Sequence, residues 1–155
     1  MPKIAELSEC PRTGRLVAID PGTKFIGVSV SDETQTVARP LDSIKRGSWK
    51  DLLTKIRAIV SEFDAKAMVI GLPYGFEGGE TEMSAEARRM ARNFSLSLEI
   101  PVFLQDERVT SYAAKGRLWD RGVSLKDTKQ FVDSEAAVII LNDFLERLKQ
   151  FCDHP

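Results

Sequence analysis

Three carboxylates in this sequence have the type and placement that metal-dependent chemistry requires. Asp20 directly follows an apolar run, and Glu107 follows a second apolar run at residues 101–104. Asp133 precedes Ala137 by four positions, so on a helix these two residues share one face. If the three elements meet, the carboxylates repel one another, and their pKa values rise unless a cation lies between them.

The chemistry of these side chains limits the metal that they could bind. Hard oxygen ligands without histidine or thiolate suit Mg²⁺ or Mn²⁺. Two such ions about 4 Å apart can activate a water molecule and stabilise the leaving oxygen in phosphodiester hydrolysis. Each acid also has a structural interpretation, since Asp20 can open a turn with Pro21 and Asp133 can stabilise the first turn of a helix. Taken as a set, the acids favour a metal site.

The composition argues against several other kinds of active site. The only histidine among the 155 residues is His154, next to the last position, which argues against His-based triads and histidine metal sites. Cys10 and Cys152 are too few for a disulfide framework and indicate a reducing compartment, which we expect to be the cytoplasm. With a net charge of -1, any nucleic acid must be bound by a local basic patch. No apolar stretch reaches membrane-spanning length, so we expect no membrane association.

Apolar runs and alternation predict the strands that position Asp20 and Glu107. The run before Asp20 is apolar on both alternating faces, which is typical of a strand at the centre of a sheet. We expect Pro21 to turn the chain there, and Pro40 indicates that the third strand lies at an edge. Five strands are predicted, at residues 16–19, 25–31, 36–41, 67–70 and 101–104.

Apolar residues at helical spacing predict three longer helices. They lie at residues 49–63 with Ser48 as N-cap, at residues 83–98, and from Asp133 to residue 151. Residues 75–80 are expected to form an exposed loop, and residues 111–130 a short helix and a loop. The order βββαβαβα indicates an α/β sheet flanked by helices. We expect one domain, with flexible tails at its two ends, and the three segments are residues 1–14, 15–150 and 151–155.

Four sequence blocks resemble those of the YqgF family, also called RuvX-like Holliday junction resolvases. They are VAIDPGTKFIGVSVSD from Val17, VIGLP from Val69, DERVTS from Asp106 and VDSEAAVIIL from Val132. The blocks follow the family's order and extend over nearly the whole chain. The resemblance implies a ribonuclease H-like fold with a mixed central sheet and helices on both faces. It also implies a nuclease that matures the small-subunit ribosomal RNA precursor, with junction resolution as an older proposal.

Carried over by position, the resemblance implies that Asp20, Glu107 and Asp133 are the catalytic acids and the ligands of Mg²⁺ or Mn²⁺. Asp106 is the substitute if Glu107 points away. Arg108 would neutralise a phosphate, although it could instead pair with Asp106. The candidates for contacts with the substrate backbone are Lys24, Arg39, Arg108 and Thr110.

Each of these candidate contacts has an alternative. Thr110 could cap the helix that follows it, and Lys24 and Arg39 could be ordinary surface charges. The sequence departs from the family pattern at Phe25, because a basic residue often follows the lysine of the first block. The missing cation weakens phosphate binding at this point, whereas an aromatic ring could stack on a base.

The first functional hypothesis is a metal-dependent endonuclease that acts on structured RNA or, as an alternative, on branched DNA. The second is a catalytically inactive RNA-binding module in ribosome assembly or transcription, against which the three acids argue. Actin-like ATPases share an Asp-x-Gly-Thr segment but need two such domains, and no internal duplication is visible. A junction resolvase would need a symmetric dimer to cut two strands, whereas the polar outer face of the last helix favours a monomer.

Overall fold

The computed structural model describes residues 4–22, 24–73, 81–107 and 125–153, with side chains from residue 134 onwards in the last helix. The described elements are β1 (Leu16–Pro21), β2 (Phe25–Ser31), β3 (Ala38–Lys45), α1 (Trp49–Phe63), β4 (Ala67–Pro73), α2 (Glu82–Ser97), β5 (Val102–Glu107) and α3 (Leu125–Asp153). This order confirms the predicted βββαβαβα pattern. The prediction for residues 75–80 falls outside the described residues, as does most of the segment 111–130.

The central position of β1 in the sheet confirms the prediction from its apolar run. The strands lie in the order β3-β2-β1-β4-β5. β1 pairs antiparallel with β2 and parallel with β4, β2 pairs antiparallel with β3, and β4 pairs parallel with β5. The last residues of β1, β3, β4 and β5 therefore share one edge of the sheet with the first residue of β2. We call it the carboxyl edge.

Alternate side chains of the sheet pack against helices on its two faces. Val17 and Ile19 of β1 belong to an apolar cluster with residues of α1 and α2, whereas Leu16 and Ala18 belong to a second cluster with α3. The polar side of β2 is buried as well, because the Ser29 hydroxyl donates a 2.7 Å hydrogen bond to a main-chain carbonyl of α3. The mixed sheet with helices on both faces is confirmed.

Several predicted boundaries are wrong. Pro21 does not turn the chain, because it lies in β1 opposite Ile26, and β2 begins at Phe25. The strand tolerates a proline here because pairing with β4 ends at Ile19, so no hydrogen bond on that side needs its missing N–H. β3 begins and ends later than predicted, and β4 and β5 each continue three residues further, to Pro73 and Glu107.

The last helix begins earlier than the apolar pattern predicts. α3 starts at Leu125, inside the segment predicted to hold a loop, so Asp133 is its ninth residue and does not lie in the first turn. The first-turn interpretation of Asp133 is therefore wrong, because the orphan amides of a helix belong to its first four residues. Among the described residues, no helix has an apolar stretch long enough to cross a membrane.

The chain before β1 contacts the sheet and α3. The Ala5 amide donates a 2.9 Å hydrogen bond to the Val102 carbonyl, and Cys10 is buried in the cluster beneath α3. Gln35 fixes the same segment from the β2–β3 turn, since its side chain donates to the Pro11 carbonyl at 2.9 Å. Cys10 and Cys152 are both free thiols.

Gly71 allows α3 to pack closely on β4. A Cβ atom at Gly71 would lie 2.3 Å from Cδ1 and 3.0 Å from Cγ1 of Ile140, whose side chain is buried. We expect Gly71→Ala to lower the free energy of unfolding by about 1–3 kcal/mol, because Ile140 must move in a filled core. Urea unfolding of Gly71→Ala, Ile140→Val and the double variant would measure this. Because valine leaves room for the new Cβ atom, the double variant should lose less stability than the two single losses added together. Additive losses would contradict the close contact.

Candidate active site

Asp20 and Glu107 lie on the same face of the sheet. Asp20 alternates with Leu16 and Ala18, which pack beneath α3, and Glu107 alternates with Phe103, which belongs to the same cluster. Both acids stand at the carboxyl edge. Their side chains therefore share the α3 side of the sheet. Asp106, the substitute ligand, is exposed and belongs to the opposite face.

The pairing between β1 and β4 ends just before Asp20. β1 pairs with β4 only as far as Ile19 and Ile70, whereas β4 pairs with β5 up to Pro73 and Glu107. Glu107 is thus two strands across and two residues further along than Asp20, which corresponds to roughly 12 Å between backbones. Ligand sites of open α/β sheets lie at such a separation of the carboxyl ends of parallel strands.

Glu107 has the most perturbed carboxyl of the described residues. Its side chain is buried, and Oε1 makes no hydrogen bond. Burial is the largest cause that raises the pKa of Glu107 from 4.5 to about 9, followed by the hydrogen bond with Asp143 and the negative charge of Asp143. The charges of Asp20 and Asp106 raise the pKa further. Asp20 and Glu107 are thus close enough to interact.

These features fit a cation. A buried carboxylate oxygen without a partner is unfavourable, and neighbouring negative charge makes its ionisation more so. A divalent cation would satisfy the free oxygen of Glu107 and offset the charges of Asp20 and Asp143. Carboxylate oxygens suit Mg²⁺ or Mn²⁺. Within the described ranges, however, no three acidic, cysteine or histidine side chains are grouped closely enough to hold a metal.

The third predicted ligand stays a prediction. The backbone of Asp133 lies in α3, one turn before Ala137, whose carbonyl accepts the hydrogen bond from Ser29. Its side chain is outside the described residues, and so are Arg108 and Thr110. A metal site formed by Asp20, Glu107 and Asp133 therefore stays a prediction for all three residues.

Asp143 is a neighbour of Glu107 in the candidate site that sequence reasoning missed. It belongs to the exposed side of α3, where a charged residue is expected to be solvated. The next residue, Phe144, packs on Phe103 of β5 with 5.2 Å between ring centroids, which brings this turn of α3 beside Glu107. The only sequence signal was the adjacency of Asp143 to an apolar residue, and it does not name the strand that α3 crosses.

Only one of the two described candidates for substrate contacts lies near the acids. Lys24 is exposed at the carboxyl edge, immediately before β2. Arg39 lies near the start of β3, opposite Val30, and its guanidinium is 5.4 Å from the ring centroid of Phe63 at the end of α1. Arg39 is therefore on the other face of the sheet and away from the carboxyl edge. The structure does not bring it together with Asp20.

A β-bulge in β3 places a hydroxyl without a hydrogen-bond partner level with Asp20, two strands away. Leu41 pairs with Val28 and Ile44 with Ile26, so two residues of β3 oppose one residue of β2. That residue is Gly27, which also pairs with Asp20. The Ser43 hydroxyl in the bulge is buried without a hydrogen-bond partner. Bulges often redirect side chains beside active sites.

Comparison with known proteins identifies the family. The family model described as "RuvX: Holliday junction resolvase" matches residues 14–147. A Cereibacter sphaeroides protein named "Putative pre-16S rRNA nuclease" is 37% identical over 142 residues, covering 92% of this chain and 89% of the relative. A Bradyrhizobium protein of the same name is 35% identical over 148 residues, covering 96% and 92%.

Solved structures agree on the fold. The yeast mitochondrial Holliday junction resolvase superimposes on this protein with a TM-score of 0.57 and 12% sequence identity. The match covers 95% of this chain and 84% of the resolvase chain. T. thermophilus RuvC in complex with a Holliday junction substrate has a TM-score of 0.51 and 16% identity, covering 89% and 96%. The ribonuclease H-like fold is thereby confirmed. The chain belongs to the RuvX (YqgF) family of nucleases, as its four sequence blocks predict.

Proposed function

We propose that this protein is a divalent-metal-dependent endonuclease that hydrolyses phosphodiester bonds in structured RNA, with the small-subunit ribosomal RNA precursor as its substrate. The observation that carries the proposal is the buried Glu107, whose unpaired oxygen lies in the field of Asp20 and Asp143. A carboxyl in that state is suited to bind a cation. The name shared by the relatives, pre-16S rRNA nuclease, favours RNA as the substrate.

In this proposal Asp20, Glu107 and Asp133 would hold Mg²⁺ or Mn²⁺. Two such ions, when bound, would supply an activated water and stabilise the leaving oxygen. The protein contributes rigidity, because β1 is buried on both faces and fixes the backbone of Asp20. Glu107 must lose its proton to become a ligand, so metal binding near neutral pH releases a proton. Lys24 would contact a substrate phosphate at the same edge.

A cleavage assay tests this function and its substrate. The full chain is incubated with a ribosomal RNA precursor fragment and, separately, with a four-way DNA junction, in Mg²⁺, in Mn²⁺ and in EDTA. We expect metal-dependent RNA cleavage that is at least about tenfold faster than junction cleavage, and no cleavage in EDTA. RNA cleavage that persists in EDTA would contradict the proposed mechanism.

Junction resolution is the second candidate, favoured by the description of the matching family model. It requires two active sites related by symmetry, and therefore a dimer in solution. The proposed RNA nuclease can act as a monomer. Light scattering of the free protein measures whether it is a monomer or a dimer. A dimer that cuts the junction symmetrically and leaves RNA intact would replace the RNA nuclease with junction resolution as the function.

A catalytically inactive RNA-binding module is the remaining alternative. It would bind RNA, including RNA in ribosome assembly particles, without needing a metal. Titration calorimetry distinguishes it from the nuclease. We expect Mg²⁺ or Mn²⁺ to bind with proton release, and RNA binding without any metal binding would favour the inactive module.

A further inference from the structure

A cavity opens at the carboxyl edge, between the first turns of α1 and the middle of α2. Its volume is about 220 Å³, and its polar lining includes Arg46, Glu86, Arg89 and Asn93. Trp49, the first residue of α1, forms part of the wall. None of these residues belongs to the acidic site or to the candidate substrate contacts carried over from the family.

Two arginines share one carboxylate in this cavity. Arg46 Nη2 lies 2.6 Å from Glu86 Oε1, and Arg89 Nη2 lies 3.0 Å from Glu86 Oε2. The three side chains together carry one net positive charge. The Arg46 and Arg89 side chains are 30% and 63% exposed, so a ligand can reach both. Because Glu86 already orients the guanidinium groups, an anion that binds them meets a smaller loss of side-chain entropy.

The aromatic wall of the cavity is also held in place. Trp49 is half-buried and packs against Phe94, with ring centroids 4.7 Å apart. Base–aromatic stacking beside a cationic groove is the usual way in which proteins bind single-stranded nucleic acid without sequence preference. Asn93 adds an amide that can both donate and accept hydrogen bonds. The lining thus combines groups for a phosphate with a surface for a sugar or base.

The position of the cavity relates it to the acids. The Arg46 amide donates a 2.8 Å hydrogen bond to the Lys24 carbonyl, so Arg46 continues β3 past its end, two strands or about 10 Å from β1. Glu107 lies on the other side of Asp20. The cavity opens on the α1–α2 side of the edge and the acids on the α3 side. A strand bound at both would cross the edge over Lys24.

We infer that this cavity binds the phosphodiester backbone of the nucleic-acid substrate on the α1–α2 side of the carboxyl edge, away from the bond that is cleaved at the acids. Arg46 and Arg89 contact a phosphate there, and Trp49 contacts the adjoining sugar or base. Such a subsite supplies substrate affinity that does not depend on the metal, because without a bound cation the acids repel phosphates. The inference rests on the proposed function and adds a place where the substrate is held.

The test measures RNA binding in EDTA, where cleavage does not interfere. Fluorescence anisotropy with a labelled ribosomal RNA precursor fragment compares the wild type with the double variant Arg46→Gln/Arg89→Gln. We expect at least a tenfold weaker affinity for the double variant. The slope of log K against log salt should fall by about 0.7–0.9 for each lost phosphate contact. Lys149→Gln removes an exposed charge on α3, in a cavity beside Thr34 at the opposite edge, and should change neither quantity.

Glu86→Gln separates phosphate binding from a structural role of the ion pairs. It leaves both arginines but removes their shared carboxylate, so we expect RNA affinity equal to or greater than that of the wild type. An affinity as low as that of the double variant would mean that the ion pairs only support the fold, and would overturn the inference. An RNA affinity and a salt slope in the double variant equal to those of the wild type would also overturn the inference. In that case, metal-dependent RNA cleavage by the wild type would leave the proposed function intact. A wild type that neither binds nor cleaves RNA would overturn both.

Discussion

Replacing Asp20 with asparagine is expected to lower the rate of the chemical step of metal-dependent RNA cleavage by about 10³-fold or more. Asparagine has nearly the same shape, so the buried β1 strand should hold it in the same place. It lacks the negative charge that would help to bind a divalent cation in the transition state. Single-turnover cleavage with saturating protein, at several Mg²⁺ concentrations, measures the loss of the chemical step directly.

Asp106→Asn is the matched control for this substitution. It removes the same charge from the carboxyl edge, next to Glu107, but from an exposed residue on the other face of the sheet. We expect its cleavage rate to stay within about threefold of the wild type, as for a surface charge outside the site. RNA affinity in EDTA should be equal to or greater than that of the wild type in both variants, because each removes a charge that repels phosphates. A loss in Asp106→Asn as large as that in Asp20→Asn would show that the opposite face of the sheet also supplies a metal ligand.

The sequence was sufficient for the part of the fold that local patterns determine. The central strand carries apolar residues on both faces, and Ser48 begins α1 by accepting a hydrogen bond from the Asp51 amide, as its N-cap position predicts. Strand boundaries were less accurate because a strand extends as far as its partner does. β5 continues to Glu107 because it pairs with β4 up to Pro73, and that pairing joins distant residues.

In the candidate site, too, local patterns could be predicted from the sequence and contacts between distant residues could not. The position of Asp20 and Glu107 after apolar strands could be predicted, and their shared binding of a hard cation stays a proposal. Their common face could not be predicted, because it depends on how far each strand continues past its apolar run. Asp143 was missed since only the packing of α3 across β5 brings it to Glu107. Arg39 occurs in the sequence near the first block, yet the register places it beyond the reach of the acids.

Glu107 is expected to make the metal-free protein less stable as the pH rises. Burial and the neighbouring carboxylates raise the pKa of the Glu107 carboxyl from its ordinary value of 4.5 to about 9 in the folded protein. Between these values the folded state binds a proton that the unfolded state has lost, so the free energy of unfolding falls with increasing pH. Glu107→Gln removes this titration. In EDTA at pH 8 we expect the variant to be more stable by on the order of 2 kcal/mol, or roughly 6 °C in Tm.

Thermal unfolding followed by circular dichroism in EDTA tests the sign of this effect. The advantage of Glu107→Gln over the wild type should shrink as the pH falls towards 4.5 and vanish below it, where Glu107 is protonated in both states. A variant that is less stable than the wild type at pH 8 in EDTA would contradict the buried, unpaired carboxyl. Asp106→Asn again serves as the control, because Glu107 still titrates in it, so its stability should fall with increasing pH as that of the wild type does.

Divalent metal should reverse the order of stability. Mg²⁺ or Mn²⁺ that binds only the folded state stabilises it, and once the metal concentration exceeds Kd the free energy of unfolding rises with the logarithm of their ratio. The wild type can lose its proton from Glu107 and provide a carboxylate ligand, whereas glutamine cannot. We therefore expect metal to raise the Tm of the wild type at pH 8 by several degrees and to leave Glu107→Gln nearly unchanged. Because the same carboxyl destabilises the free protein and binds the cation, an equal metal response in both proteins would remove Glu107 from the proposed site.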